Sequence, residues 1–387
     1  MNRLTTSRGE LELTRHPEDP RDPLRAWDAA DAYLLRHLGE PADPGQVVIA
    51  LDRWGALATA LAPHRPVQIS DSHLAQEATR ANLKRNGVDA DAVRLLSTQD
   101  EPPPRVDTLL VRVPKSLALL EDQLHRLAPS LHPGTVVVGA GMVKEIHTST
   151  LRLFETIVGP TRTSLAEQKA RLIFSTPASP SPGANPWPLA YDLPDGVGPA
   201  SGRTVVNHAG VFCADRLDVG TRFFLAHLPR TTGAVTIADL GCGNGVVGMS
   251  AALGNPEATI VYADESHQAI ASARVNAPPG AARFLLADGL AGVEPGTLDL
   301  VLNNPPFHLH QATGDTTAWR MFTGARRALR PGGELWVIGN RHLGYHVKLR
   351  RIFGNCDVMA ADPKFVVLRA RKGQPSHSTS GRTSTAP

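Results

Sequence analysis

The chain presents the same landmarks twice, in the same order. An apolar run at 47–51 is answered by one at 236–240. Residues 67–82, which contain Asp71 and close on ATRAN, are answered by 260–276, which contain Asp264 and close on ASARVN. The run 106–114 is answered by 298–305, and Leu131-His132-Pro133-Gly134 by Leu329-Arg330-Pro331-Gly332. Four landmarks roughly 190 residues apart indicate a tandem duplication, so the chain builds one fold twice. In each half, short β-branched runs alternate with helical patterns. That alternation defines an α/β fold class, with a mostly parallel sheet and right-handed crossovers in each copy. At 387 residues with 42% apolar side chains, the chain can bury a core in both.

No run approaches the ~18 apolar residues of a membrane-spanning helix, so no membrane segment is expected. Residues 1–25 are polar and punctuated by prolines. Their opening, Met1-Asn2-Arg3-Leu4-Thr5-Thr6, lacks the apolar core of a secretion signal and points to the cytoplasm. Cys213, Cys242 and Cys356 are far apart, and no cluster has metal-ligand spacing. Neither a disulfide framework nor a metal site is expected. The net charge of +3 is unevenly spread: residues 1–200 hold 21 basic and 24 acidic side chains, residues 201–387 hold 19 and 13. Arg341, Lys348, Arg350, Arg351, Lys364, Arg369, Arg371 and Lys372 have only Asp357 and Asp362 nearby in sequence. They form either a solvated face or a phosphate-contacting surface.

The copies diverge where a site would lie. In the second, Asp239-Leu240-Gly241-Cys242-Gly243-Asn244-Gly245 closes a strand and opens a helix. Gly241, Gly243 and Gly245 allow a tight turn and close ligand approach, and helix-opening N–H groups face that ligand. Asp264 closes the next strand, placed to accept from two ribose hydroxyls. Asp288 closes the third, where an adenine amino group would lie. With Asp239 and Asn303 these residues make up the candidate cofactor set. Their spacing fits two cofactors. Gly243, Gly245 and Gly248 satisfy the dinucleotide pattern G-x-G-x-x-G. Asp239 and the alternating glycines fit the D-x-G-x-G-x-G loop of an S-adenosylmethionine site better.

The apolar run 298–302 leads into Asn303-Asn304-Pro305-Pro306-Phe307-His308. The prolines carry no N–H and stiffen the turn. The Asn304 side-chain carbonyl and the Pro305 backbone carbonyl can accept both protons of an exocyclic amine, turning its lone pair toward an electrophile. Phe307 offers a stacking face for a flipped base. Asn304, Pro305 and Phe307 are therefore the candidate catalytic residues. The clamp offers no hydride acceptor, which favours methyl transfer over dehydrogenation. His308 either orients the clamp, touches RNA or is merely structural. Segments 209–212 and 218–221 precede the glycine loop and would cover the methionine end of the cofactor, with Asp218 as a helix cap. Cys242, with no base nearby, is a packing residue.

The first copy has Leu51-Asp52-Arg53-Trp54-Gly55 in place of the glycine loop and Arg112-Val113-Pro114-Lys115 in place of Asn-Pro-Pro. Arg53 and Trp54 would fill space a cofactor needs. Residues 1–174 are thus expected to be a degenerate copy without cofactor binding, kept for substrate grip or stability. Residues 175–200, with seven prolines, are expected to be an extended linker. Residues 201–372 form the expected catalytic domain, and the Ser/Thr-rich 373–387 a disordered tail.

The glycine loop, NPPFH, LRPGGELWVIGNRHLGY at 329–345 and GNCDVMAADPKFVVLRARK at 354–372 resemble the class I (Rossmann-like) methyltransferases that modify guanine N2 in ribosomal RNA. That family also carries a degenerate first copy of its fold. LRAWDAADAYLL, PKSLALLEDQL, IHTSTLRLFE and QKARLI in the first half look closer to the large-subunit, 23S member than to the small-subunit, 16S one. The resemblance implies tandem class I folds, each with a mostly parallel seven-stranded sheet, and S-adenosyl-L-methionine as cofactor. It implies methylation of guanine N2 in 23S ribosomal RNA, either naked or in a ribosomal subunit precursor. Guanine N2 of 16S RNA, adenine in DNA and glutamine in protein are the alternatives as acceptors. An RNA-binding module without catalysis is the alternative from another class.

Overall fold

The computed structural model describes residues 3–19, 22–40, 43–178, 183–306 and 311–374, with the backbone alone over 311–315. Phe307, His308 and residues 375–387 of the tail lie outside the described residues. The chain opens on a hairpin, β1 (Arg3–Thr6) and β2 (Gly9–Glu12). The first domain follows with α1 (Ala29–Leu38), β3 (Val47–Ala50), α2 (Ala56–Leu61), β4 (Val67–Ser70), α3 (His73–Arg85) and β5 (Arg94–Ser97). It continues through β6 (Val106–Arg112), α4 (Leu117–Leu127), β7 (Leu131–Met142), α5 (Thr148–Ile157), β8 (Thr161–Thr163) and β9 (Ala170–Ser175). A second hairpin, β10 (Leu189–Asp192) and β11 (Thr204–Asn207), precedes the second domain. That domain runs through α6 (Val219–Leu225), β12 (Thr236–Leu240), α7 (Val246–Gly254), β13 (Thr259–Asp264), α8 (His267–Asn276) and β14 (Ala282–Leu286). It ends with β15 (Leu298–Asn303), α9 (Gln311–Ala328), β16 (Leu329–Asn340), α10 (Tyr345–Phe353), β17 (Asp357–Ala361) and β18 (Phe365–Arg371).

Both domains are seven-stranded sheets of one topology, β5-β4-β3-β6-β7-β9-β8 and β14-β13-β12-β15-β16-β18-β17. Only one strand in each, β9 and β18, runs antiparallel to the rest. Central strands read as unbroken apolar runs because helices cover both faces. Ile237, Ile260 and Leu300 enter one core while their neighbours Ala238, Val261 and Val301 enter the other. Each buried Val, Ile or Leu contributes about 1.5–3 kcal/mol.

Strand pairing fixes how the copies correspond. Val47 lies opposite Thr108 as Ile237 lies opposite Leu300, and Ala50 opposite Ile69 as Leu240 opposite Ala263. Thr108 lies opposite Val136 as Leu300 lies opposite Glu334. Leu51 therefore corresponds to Gly241, Arg53 to Gly243, Gly55 to Gly245, Ser70 to Asp264, Asp71 to Glu265 and Arg112 to Asn304. The sequence match of Asp71 with Asp264 is one residue out. Unbroken apolar runs lack the alternation that would separate a true register from a one-residue slip.

The hairpins are part of the repeat. Asn82 Nδ2 donates to the carbonyls of Trp54 at 2.9 Å and Thr14 at 3.0 Å. Asn276 Nδ2 donates to those of Asn244 at 2.9 Å and Val206 at 2.8 Å. In each copy one buried amide ties the loop after the first central strand to the chain beside the hairpin or within it. The stretch expected to be an extended linker is accordingly folded over much of its length. Ser175 ends β9, and Leu193, Val197 and Ala200 sit in the second domain's core. Asn185 and Trp187 bond to Asp122 and Glu121 of α4, at 2.8 and 2.9 Å.

The domains meet through the corresponding loops after β4 and β13, in a quasi-two-fold contact. The N–H of His73 donates to the Glu265 carbonyl and that of His267 to the Asp71 carbonyl, both at 2.8 Å. Ser72 Oγ donates to Glu265 Oε2 at 2.5 Å, and Ser266 Oγ to Asp71 Oδ2 at 2.7 Å. Burial pushes Asp71 up to about 6 and Glu265 up to about 7. Both are raised above their unfolded values. The stability linked to them is complete at low pH and is lost as pH rises through the folded values. Thermal unfolding should therefore show a contribution to the melting temperature that falls between about pH 4 and about pH 7, and Asp71→Asn combined with Glu265→Gln should flatten that fall. An unchanged slope in the double variant would show that this contact does not carry the dependence.

Candidate active site

The glycine loop and the Asn-Asn-Pro-Pro segment leave neighbouring strands, β12 and β15, at the same sheet edge. Gly241, Gly243 and Gly245 have φ of +71°, +53° and +79°, which L side chains rarely adopt. A Cβ at Gly245 would lie 3.0 Å from Ala273 Cα on α8, so the loop packs against that helix without room for a side chain. At Gly243 the nearest atom to such a Cβ is Val211 Cγ1, 4.0 Å away, which leaves a cradle open beside the segment 209–212. Asp264 closes one side. Its Oδ2 accepts from the Gly243 N–H and its Oδ1 from the Ser266 N–H, both at 3.0 Å. Burial raises its pKa, and those N–H groups counter the shift.

Asp239 plays its part from beneath. It is 2% exposed, and its Oδ2 accepts from the Gly248 N–H at 2.8 Å. Burial pushes it up to about 8. It fixes the start of α7. Cys242 is buried, and burial raises its thiol well above the usual range, consistent with packing. Asp288 forms an ion pair with Arg320 on α9. Neither Arg320 nor Met321, whose Cε would lie 3.0 Å from a Cβ at Gly241, was identifiable as a site residue from the sequence. Their link to the site is a long-range contact with no local motif.

Asn303 is fully buried. Its Nδ2 donates to the Leu240 carbonyl at 2.6 Å, joining the ends of β12 and β15, and its Oδ1 has no hydrogen-bond partner. Asn304 Nδ2 donates to Thr221 Oγ1 of α6 at 2.9 Å, and its Oδ1 is likewise buried and unpaired. Two buried acceptors left unpaired in consecutive residues are costly, about 1–3 kcal/mol each, unless a ligand supplies donors. Pro305 is buried and Pro306 exposed.

The first copy keeps part of the loop's backbone and fills the rest. Leu51 and Gly55 retain φ of +64° and +76°. At the position of Gly243, the Arg53 guanidinium donates to Glu145 at 2.9 Å and to Asp28 and the Val113 carbonyl at 3.3 Å. At the position of Asn304, Arg112 is completely buried, paired with Asp31 at 2.7 Å and Asp28 at 2.9 Å. Breaking such a buried pair leaves an uncompensated charge and costs about 3–5 kcal/mol.

On the basic segment, Arg369 pairs with Asp357 at 2.7 Å, and Arg371 with Glu334 at 2.6 Å. Part of the charge counted from the sequence is thus neutralised within the sheet.

The sheet order, the left-handed glycine loop and the Asn-Pro-Pro edge define a class I, S-adenosylmethionine-dependent methyltransferase. Residues 1–179 match the RLMG N-terminal domain family, and residues 202–369 the methyltransferase small domain family. The chain is 70% identical to the ribosomal RNA large subunit methyltransferase G of Streptomyces avermitilis, over 95% of this chain and 99% of that protein. It is 50% identical to the protein of that name from Pseudomonas aeruginosa, over 95% and 99%. The chain belongs to the ribosomal RNA large subunit methyltransferase G family. The solved T. thermophilus 16S rRNA N2 methyltransferase (RsmC), in complex with AdoMet and guanosine, shares the fold. Its TM-score is 0.74 at 20% identity, covering 96% of this chain and 97% of that one.

Proposed function

We propose that this chain transfers a methyl group from S-adenosylmethionine to the exocyclic N2 amino group of a guanine in 23S ribosomal RNA. Asn304 carries the reading: a buried, unpaired carbonyl oxygen stands beside a glycine loop shaped for the cofactor. Family membership supports the large ribosomal RNA as substrate. The cofactor, when bound, supplies an electrophilic methyl group on a sulfonium. Gly241, Gly243 and Gly245 let the backbone approach it, while Asp264 holds the ribose hydroxyls and Asp288 faces the adenine amino group. Asn303 and Asp239 fix the loop from below.

The guanine leaves its stack and enters the cleft at the sheet edge. Asn304 Oδ1 and the Pro305 carbonyl accept its two N2 protons, so the nitrogen lone pair points at the methyl carbon. The N–C bond forms as the S–C bond breaks, and the surplus proton leaves N2 to solvent afterwards. Alignment supplies much of the acceleration. Phe307 retains a stacking role as part of the proposal. Among the described residues, no helix is long and apolar enough to cross a membrane. We place the reaction in the cytoplasm, on free 23S RNA or a subunit precursor, with the first domain holding the cofactor domain through Asp71 and Glu265. The purified protein should transfer labelled methyl from the cofactor to unmodified 23S transcript. Transfer to 16S transcript alone would contradict the assignment of the target.

A further inference from the structure

We propose that Thr221 is a positioning residue for this reaction: with Asp218 it decides which end of the Asn304 amide is offered to the substrate. The inference rests on the function proposed above. Asp218 caps α6, its Oδ2 accepting from the Thr221 N–H at 2.9 Å and from the Thr221 hydroxyl at 3.3 Å. A carboxylate only accepts, so the single hydroxyl proton is committed to Asp218. The Thr221 oxygen then has only lone pairs to present, and Asn304 meets it with Nδ2 at 2.9 Å. Turning the amide over would set Oδ1 against an oxygen with no proton to give. The relay thus holds the amide in the one orientation that leaves Oδ1 as the unpaired acceptor.

The relay is also sheltered and stiff. Thr221 is 6% exposed, which limits competition from water. A Cβ at Gly220 would lie 3.0 Å from Phe365 Cε1, so α6 is packed closely on β18. Without the relay, the amide can present its NH2 to the guanine NH2, donor against donor. The sequence marked 218–221 as cofactor cover or a helix cap; the structure adds a second task for the same turn.

Thr221→Val removes the hydroxyl and keeps the backbone N–H that Asp218 caps. It should lower kcat roughly ten- to a hundredfold on unmodified 23S transcript, with the cofactor Kd unchanged within about twofold. Thr221→Ser, which restores the hydroxyl, should recover most of the turnover. Turnover of Thr221→Val near wild type, in an assay where Asn304→Ala is inactive, would overturn the relay and leave the proposed function standing. Weakened cofactor binding that accounts for the whole loss would overturn it in favour of a cofactor cover. A wild-type chain that methylates no RNA would overturn the proposed function and the relay with it.

Discussion

Asn304→Ala is expected to lower kcat by about two to three orders of magnitude, the scale on which a single preorganised polar group acts in other enzymes. The side chain supplies one of two acceptors for the amino protons. Without it the nitrogen can rotate its lone pair away from the methyl carbon. Cofactor affinity should be nearly untouched, because the cradle is built by Gly241, Gly243, Gly245 and Asp264, and it is Asn303, not Asn304, that bonds to the end of β12. Single-turnover methylation together with calorimetric cofactor binding separates these effects. Unchanged turnover would remove Asn304 from the chemistry.

Asp264→Ala is expected to act the other way. Two charge-assisted hydrogen bonds to ribose disappear, together worth roughly 3 kcal/mol, or about a hundredfold in Kd. The Gly243 and Ser266 N–H groups also lose their acceptor, which loosens the loop itself. At saturating cofactor, kcat should recover much of its value, because the amino-group clamp lies on a different strand. Titration of the variant with cofactor tests this. An affinity equal to wild type would mean that Asp264 serves only the loop.

The catalytic half was legible wherever chemistry is encoded locally. Alternating glycines after an apolar run need positive φ, and all three have it. Asn-Pro-Pro at a strand end needs a rigid turn at the carboxyl edge, and β15 ends at Asn303. The duplication was legible too, down to the asparagine of ATRAN and ASARVN, although not what that asparagine grips. What stayed hidden depends on contacts between distant residues. Thr221 and Asn304, or Asp288 and Arg320, meet only after the sheet has formed. The hairpin of β10 and β11 was obscured by prolines that suit a linker equally well. The hydrogen bond from the Gly248 N–H to Asp239 was likewise not legible, because it depends on how α7 packs against the end of β12. In the first copy, the sequence identified Arg53 as filling the loop and set Arg112 where the Asn-Pro-Pro turn would begin, but the partners that bury Arg112, Asp28 and Asp31, lie far away in the chain and carried no local signal.

The most direct measurement is nucleoside mass spectrometry on separated 23S and 16S RNA from a strain lacking this protein, with and without a plasmid copy. The account predicts that one N2-methylguanosine disappears from 23S RNA and returns with the wild-type copy but not with Asn304→Ala. An unchanged content of N2-methylguanosine in 23S RNA would contradict it. A loss confined to 16S RNA would keep the chemistry and refute the target.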